Sequence, residues 1–290
     1  MKDIAAKSKT RDIIEKHGFT FKKSFGQNFL TDANILNKIV EVADLNEGVG
    51  VIEIGPGIGA LTEFIARRAK KVVAYEIDAR LIPILDETLA PYHNVEIIHQ
   101  DILKADVAQM IEEQFKEVKQ IAVVANLPYY ITTPILMGLI EKNLPIDRYI
   151  TMMQTEVARR LSAQPSTKDY NALSIAVQYY TEAKIVLNVP KTVFIPAPNV
   201  DSSVVRLTRR QKPAVLVLDE AFFMEFVHAA FKQRRKTIQN NLSSHFDSLT
   251  KEQISELLKE AGILPTRRGE SLSIAEFARV ANSFYLVMSS

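Results

Sequence analysis

Cysteine is absent from the 290 residues. That excludes disulfides, thiolate metal sites and a cysteine nucleophile, and it suits a reducing compartment such as the cytoplasm. Long apolar runs are absent too. No stretch approaches the ~18 residues needed to cross a membrane, so no membrane association is expected. The N-terminal MKDIAAKSKTRD is basic but has no apolar core, which argues against a secretory signal. Neither sign of charge dominates: Lys+Arg total 36 and Asp+Glu 34, a formal net charge of +2. A nucleic-acid enzyme with this balance has to concentrate its positive charge locally. No internal repeat or low-complexity tract is present. Hydrophobic residues make up 47% and charged residues 24%, a globular balance that argues against intrinsic disorder.

The first two-thirds of the chain alternate short β-branched runs with helical patterns. Val51–Ile54, Lys71–Tyr75, Val95–Ile98, Ile121–Ala125 and Tyr149–Gln154 read as strands. Between them lie helices such as Asn34–Ala43, whose Ile35, Leu36, Ile39, Val40 and Ala43 follow helical spacing behind a candidate cap, Asp32. Repeated strand–helix units predict an α/β fold with a mostly parallel sheet. Lys184–Val189 and Ser203–Thr208 have no helical segment between them and predict a C-terminal antiparallel hairpin with a long, proline-rich loop. Beyond residue 210 the pattern is helical, with Phe222, Phe223, Phe226, Val227, Ala230 and Phe231 forming a broad apolar stripe. The expected domains are 1–210, catalytic, and 211–290, small and all-helical.

Chemistry begins at VIEIGPGIGALTEFIA, residues 51–66. A strand runs into Gly55, Gly57 and Gly59 and a helix follows, so the backbone can turn tightly and present oriented N–H groups to a ligand. Glu76 ends the next strand, 21 residues after Gly55, where a carboxylate can accept from both hydroxyls of a ribose. The spacing is G-x-G-x-G; the dinucleotide fingerprint requires G-x-G-x-x-G. With Glu53 before it and an acid after the second strand, the loop resembles that of class I S-adenosylmethionine-dependent methyltransferases. A nicotinamide-dependent dehydrogenase is the rival reading. In the methyltransferases the residue at Asp101, after the third strand, accepts from the adenine amino group, and neighbours such as Ile77 and Ile102 pack on the nucleoside; a plain helix cap is the bland alternative for Asp101.

ANLPYYITTP, residues 125–134, follows the fourth strand. In a doubly wound sheet the ligand crevice opens at the strand C-termini, where the strand order reverses. An exocyclic amine on a base is a poor nucleophile because its lone pair is delocalised into the ring. Acceptors aimed at its hydrogens favour localisation of that pair and are preorganised for positive charge on nitrogen. Asn126 offers a side-chain oxygen and Leu127 a backbone carbonyl, while Tyr129 can stack on an extruded base. N-L-P-Y resembles the (D/N/S)-P-P-(Y/F) motif of amino-group methyltransferases.

KKSFGQNFL (22–30), VFIPAPNVDSSVVRL (193–207) and FKQRRKTIQNNL (231–242) complete the pattern. With the glycine loop and Asn126–Tyr129, they occur in the order seen in the ribosomal RNA adenine dimethyltransferases, which the chain resembles from about Lys22 to Arg268. The resemblance implies a Rossmann-like, seven-stranded catalytic domain and a helical RNA-binding domain. Gln27, Asn28 and Leu30 would contact the cofactor's methionine end. Gly55, Gly57, Glu76, Ile77, Asp101, Ile102 and Asn126 would complete the cofactor site. Phe194 would sandwich the target adenine with Tyr129; its bland alternative is a core anchor. The cofactor implied is S-adenosyl-L-methionine, leaving as S-adenosyl-L-homocysteine, with no metal. The reaction implied is N6,N6-dimethylation of two adjacent adenosines in the hairpin loop near the 3′ end of small-subunit (16S) rRNA, within a 30S assembly particle, by a cytoplasmic monomer. An erythromycin-resistance type large-subunit methylase and a non-catalytic assembly factor are the alternatives.

The charge is also segregated. Residues 1–26 hold seven Lys/Arg against three acids, and residues 231–236 hold four and none. Lys22, Lys23, Lys232, Arg234, Arg235 and Lys236 are the candidate phosphate contacts, against the alternative of solvated surface charge.

Overall fold

The computed structural model describes residues 3–22, 26–127 and 131–289. Its seven-stranded sheet consists of β1 (Val49–Ile54), β2 (Lys71–Glu76), β3 (Val95–His99), β4 (Gln120–Asn126), β5 (Arg148–Gln154), β6 (Thr181–Val189) and β7 (Ser202–Arg209). The order is β3-β2-β1-β4-β5-β7-β6. The β1/β2, β2/β3, β1/β4 and β4/β5 pairs are parallel, and β7 runs antiparallel to β5. This is the expected α/β class: β1, with every residue buried, is a near-continuous apolar run of the kind a parallel sheet covered on both faces requires. The order reverses between β1 and β4, and Ile54 stands opposite Ala125. Gly55 and Asn126, the next residue on each strand, therefore leave the sheet side by side.

The helix expected over 34–43 spans Ala33–Val42, and Asp32 caps it by accepting from the Asn34 and Ile35 N–H groups at 2.9 and 3.1 Å. Such a cap contributes about 1 kcal/mol. At its other end the buried Arg148 donates to the Ala43 and Asp44 carbonyls at 2.7 and 2.8 Å, and Arg206 donates to the Val42 carbonyl at 3.0 Å. These are cations at a helix C-terminus, where the orphan carbonyls and the dipole favour them.

Two findings differ from expectation. The proline-rich loop contains a short strand, Phe194–Ile195, which pairs antiparallel with Phe29–Leu30. Alternation over two residues leaves no periodic signal in a sequence. The domain division also differs. The chain divides into Met1–Ala158 with Lys184–Arg209, and Arg159–Ala183 with Arg210–Ser290. The break after Arg209 falls one residue from the expected boundary, but 159–183 leaves the first unit, in place of a continuous 1–210 domain. The cause is packing. Tyr170 meets Phe231 edge-on at 6.1 Å, and Tyr179 lies 5.3 Å from Phe223. Tyr170, Ile175 and Tyr179 are buried in one core with Phe226, Phe277 and Phe284. The second unit is built around helices Ala172–Tyr180, Glu220–Ala230, Ile238–Ser243, Lys251–Glu260 and Ile274–Met288. Among the described residues, no helix is long and apolar enough to cross a membrane.

Candidate active site

A cleft in the first unit opens at the C-terminal ends of β1, β2 and β4, with about 1170 Å³ of atom-free space continuous with solvent. Its walls bring together Gln27, Asn28 and Leu30 from the N-terminal arm, Gly55 and Gly57 from the loop after β1, Glu76 and Ile77 at the end of β2, Asp101 and Ile102 after β3, and Asn126 and Leu127 after β4. These are all the described residues expected to hold the cofactor, together with two expected to face the target. Glu53, Tyr75, Ile131 and Ile135 line it as well.

Glycine is required at position 57. Its φ is +62°, and a Cβ there would lie 3.0 Å from the Phe29 ring. The Gly57 N–H donates to Glu76 Oε2 at 3.3 Å, and the Asp78 N–H donates to Glu76 Oε1 at 2.9 Å. The Glu76 carboxyl is 4% exposed, and burial pushes it up from the ordinary carboxylate range while these two N–H groups oppose the rise. Glu53 is buried deeper and differently. Neither of its oxygens has a hydrogen-bond partner among the described residues, and neither does the Thr62 hydroxyl. Burial pushes the Glu53 carboxyl up to about 8; the Thr62 hydroxyl, near it but outside hydrogen-bond geometry, opposes the rise, and Glu76 adds to it. An orphaned carboxyl in a cleft wall is costly to leave unmatched, so this end of the cleft suits a cationic group. Asp101 caps a short turn by accepting from the Leu103 N–H at 3.0 Å. The capping alternative therefore describes one of its oxygens, while the side chain still borders the cleft.

The arm is fixed by residues that motif reading passed over. Gln27 Nε2 donates to Asp78 Oδ2 at 2.8 Å, and Asp78 is held by Arg80. Asn126 Nδ2 donates to the Asn28 carbonyl at 3.3 Å, while Asn126 Oδ1 accepts from no described residue. The amide is thus anchored by its nitrogen and keeps its oxygen as an acceptor. Only spacing could have signalled Asp78 and Arg80, two and four residues beyond Glu76.

Phe194 is more enclosed than a stacking platform requires. It is 4% exposed, pairs with Leu30 and belongs to the core with Phe29 and Phe64. The two-stranded ribbon turns the side chain inward, the setting of the core-anchor alternative. Tyr129 and Lys23 lie outside the described residues. Lys22 is exposed on the arm. In the second unit Lys232, Arg234, Arg235 and Lys236 are exposed in the turn after Glu220–Ala230. Arg234 is engaged locally, with Glu270 at 3.1 Å and the Lys168 carbonyl at 2.6 Å, and Lys232 reaches the Ser244 carbonyl at 3.5 Å. Arg235 and Lys236 have no side-chain partner among the described residues.

The profile of the family described as ribosomal RNA adenine dimethylase matches residues 18–285. The chain belongs to that family. A Bacillus cytotoxicus protein named Ribosomal RNA small subunit methyltransferase A is 60% identical over 285 residues, 98% of each chain. Its Bacillus mycoides namesake is 59% identical over 288 residues, 99% of each. Among solved structures, a dimethyladenosine transferase from Plasmodium falciparum matches with a TM-score of 0.72 and 25% identity, over 87% of this chain and 95% of that one. The 23S rRNA methyltransferase ErmE matches with a TM-score of 0.65 and 28% identity, over 88% and 98%.

As a ribosomal RNA adenine dimethylase, the protein is an enzyme that uses S-adenosyl-L-methionine, which overturns the dehydrogenase and non-catalytic alternatives. The cleft fits that donor. The buried Glu53 carboxyl has no hydrogen-bond partner among the described residues, and the Glu76 carboxyl, beside the Gly57 N–H, carries acceptor oxygens of the kind a ribose requires.

Proposed function

We propose that this dimethylase modifies N6 of two adjacent adenosines in the hairpin loop near the 3′ end of small-subunit rRNA, within a 30S assembly particle. Identity of 60% to a protein named for the small subunit, against 28% to the large-subunit ErmE, supports that choice of RNA. The observation that carries the chemistry is the Asn126 amide, with its nitrogen tied to Asn28 and its oxygen unengaged among the described residues, beside a cleft walled by Glu53, Glu76 and Asp101. The donor, when bound, supplies an electrophilic methyl on a sulfonium sulfur. Asn126 Oδ1 and the Leu127 carbonyl accept from the adenine amino hydrogens, draw the lone pair out of conjugation and stabilise charge building on nitrogen. No strong base is required, because the methylated nitrogen becomes acidic and releases its proton to water. Held in line, the amine also avoids much of the entropic cost of encounter. After the first transfer one N–H remains, and a single acceptor suffices for the second. A monomer acting in the cytoplasm, where the particle is assembled, is part of the same reading.

Unmethylated small-subunit particles incubated with labelled S-adenosylmethionine are expected to take up two methyl groups on each of two neighbouring adenosines, located by mapping. Labelling of large-subunit RNA alone would overturn the assignment in favour of the erythromycin-resistance type.

Arg235 and Lys236 are the better phosphate contacts, since Arg234 already holds Glu270. Reversing both charges (Arg235→Glu, Lys236→Glu) is expected to weaken RNA binding at least about tenfold and flatten the slope of log K against log salt by about 1–2. An unchanged slope would show that neither residue meets a phosphate.

A further inference from the structure

The arm that carries Gln27 and Asn28 is tied to the cleft by a pair of residues outside it. Asp78 is 4% exposed and follows Glu76 by two positions. Arg80 grips it with both sides of its guanidinium: Nε donates to Oδ1 at 2.8 Å and Nη2 donates to Oδ2 at 2.5 Å. This fork keeps the Asp78 carboxyl well below the usual range, at about 2, so it is ionised at neutral pH. The same Arg80 reaches the arm twice. Nη1 donates to the Thr20 carbonyl at 3.0 Å, and the guanidinium sits 4.9 Å from the centre of the Phe19 ring. The Gln27 amide is then held from both ends, with Nε2 on Asp78 at 2.8 Å and Oε1 accepting from the Lys22 N–H at 3.3 Å. The Asp78 N–H also orients Glu76. One connected network thus runs from the arm's exposed Lys22 to two residues of the cofactor cleft.

We propose that Arg80 and Asp78 are positioning residues that latch residues 19–22 and 26–28 against the end of β2, setting the Gln27 amide toward the cofactor. Neither lines the cleft; they act through Gln27 and Glu76. The latch rests on the cofactor reading above. Removing Arg80 leaves a buried, unpaired carboxylate beside Gln27 and frees the Thr20 carbonyl, so the arm loses both anchors at once.

The test is S-adenosylhomocysteine binding by calorimetry to the full chain and its Arg80→Ala, Gln27→Ala and double variants. Each single variant is expected to weaken binding roughly tenfold, and the double variant no more than about twofold beyond either, because both remove one connection. Arg80→Lys is expected to fall between wild type and Arg80→Ala, since an ammonium cannot bond both Asp78 oxygens and Thr20 together. Amide exchange over 19–22 and 26–30 should quicken in Arg80→Ala while β1 is unchanged. Unaltered affinity in Arg80→Ala, losses that multiply in the double variant, or unaltered arm exchange would each overturn the latch. If Arg80→Ala fails to fold, Arg80→Gln is judged by the same outcomes. Failure of the wild type to bind S-adenosylhomocysteine would instead overturn the cofactor reading itself.

Discussion

Asn126→Ala is expected to lower the single-turnover rate of methyl transfer by about 10²–10³, the usual effect of deleting one preorganised polar group at a developing charge. The residue is half-buried at the end of β4, directly beyond the Ala125–Ile54 register that places it next to Gly55. Alanine removes the oxygen proposed to accept from the amine, and among the described residues no other side-chain amide lines the cleft after β4. It also removes the 3.3 Å bond to the Asn28 carbonyl. A modest effect on the donor therefore accompanies the rate loss, with affinity for S-adenosylhomocysteine falling within about threefold, as expected for one neutral hydrogen bond. The measurement pairs rapid-quench methyl transfer with calorimetric binding. A rate within threefold of wild type would refute the acceptor role, and a loss confined to affinity would make Asn126 a cofactor ligand only.

Glu53→Gln is expected to stabilise the ligand-free protein at pH 8 and to leave it nearly unchanged at pH 4.5. Burial raises the folded carboxyl to about 8, whereas the unfolded chain ionises it near 4.5. Between those values the folded state holds a proton that the unfolded state has released. Stability therefore falls as pH rises through the window and levels off above it. At about 1.4 kcal/mol per unit, the full penalty is on the order of 4 kcal/mol, or roughly 10 °C in melting temperature. Glutamine has the same shape and cannot ionise, so the variant escapes the penalty. The gain has a functional counterpart. The same substitution removes the anion placed for the donor's ammonium, and S-adenosylhomocysteine binding at pH 8 should weaken at least about tenfold, on the scale of a charged hydrogen bond. Thermal melts from pH 4.5 to 8 decide the matter. A stability difference that does not grow with pH would show that Glu53 is ionised in the folded protein. Both results together would show a carboxyl that costs stability and serves binding, the usual relation between stability and a binding site.

The strands were legible because each is a short β-branched run bounded by turn residues. All seven lie within three residues of their expected starts and ends. The cleft was legible because glycine at 55 and 57, acids at 53, 76 and 101 and the amide at 126 are residue types with few alternative uses in that order. The burial of Phe194 was not legible, because a sequence shows that a residue is aromatic but not which way its ring turns; pairing with Leu30 turns it into the core. Segment 159–183 was misassigned for a related reason. Tyr170, Ile175 and Tyr179 would suit either unit's core, and only contact with Phe223 and Phe231 assigns them. The basic run at 232–236 was visible as charge, but its division into Arg234, spent on Glu270, and Arg235 and Lys236, with no described partner, was not.

By itself the sequence determined the α/β class, the strand–glycine–helix loop and the identities of the groups that meet in the cleft, since these depend on local periodicity and on side-chain chemistry. Tertiary structure alone decided which of those groups are desolvated and which are paired. Glu53 and Asp78 are the same kind of acid, both nearly inaccessible. One is pushed up to about 8 with no partner, and the other is held at about 2 by Arg80. The difference lies in a guanidinium brought within 2.5 Å of one carboxylate and not the other, and electrostatic energy depends on that distance and its surroundings, which no residue type encodes.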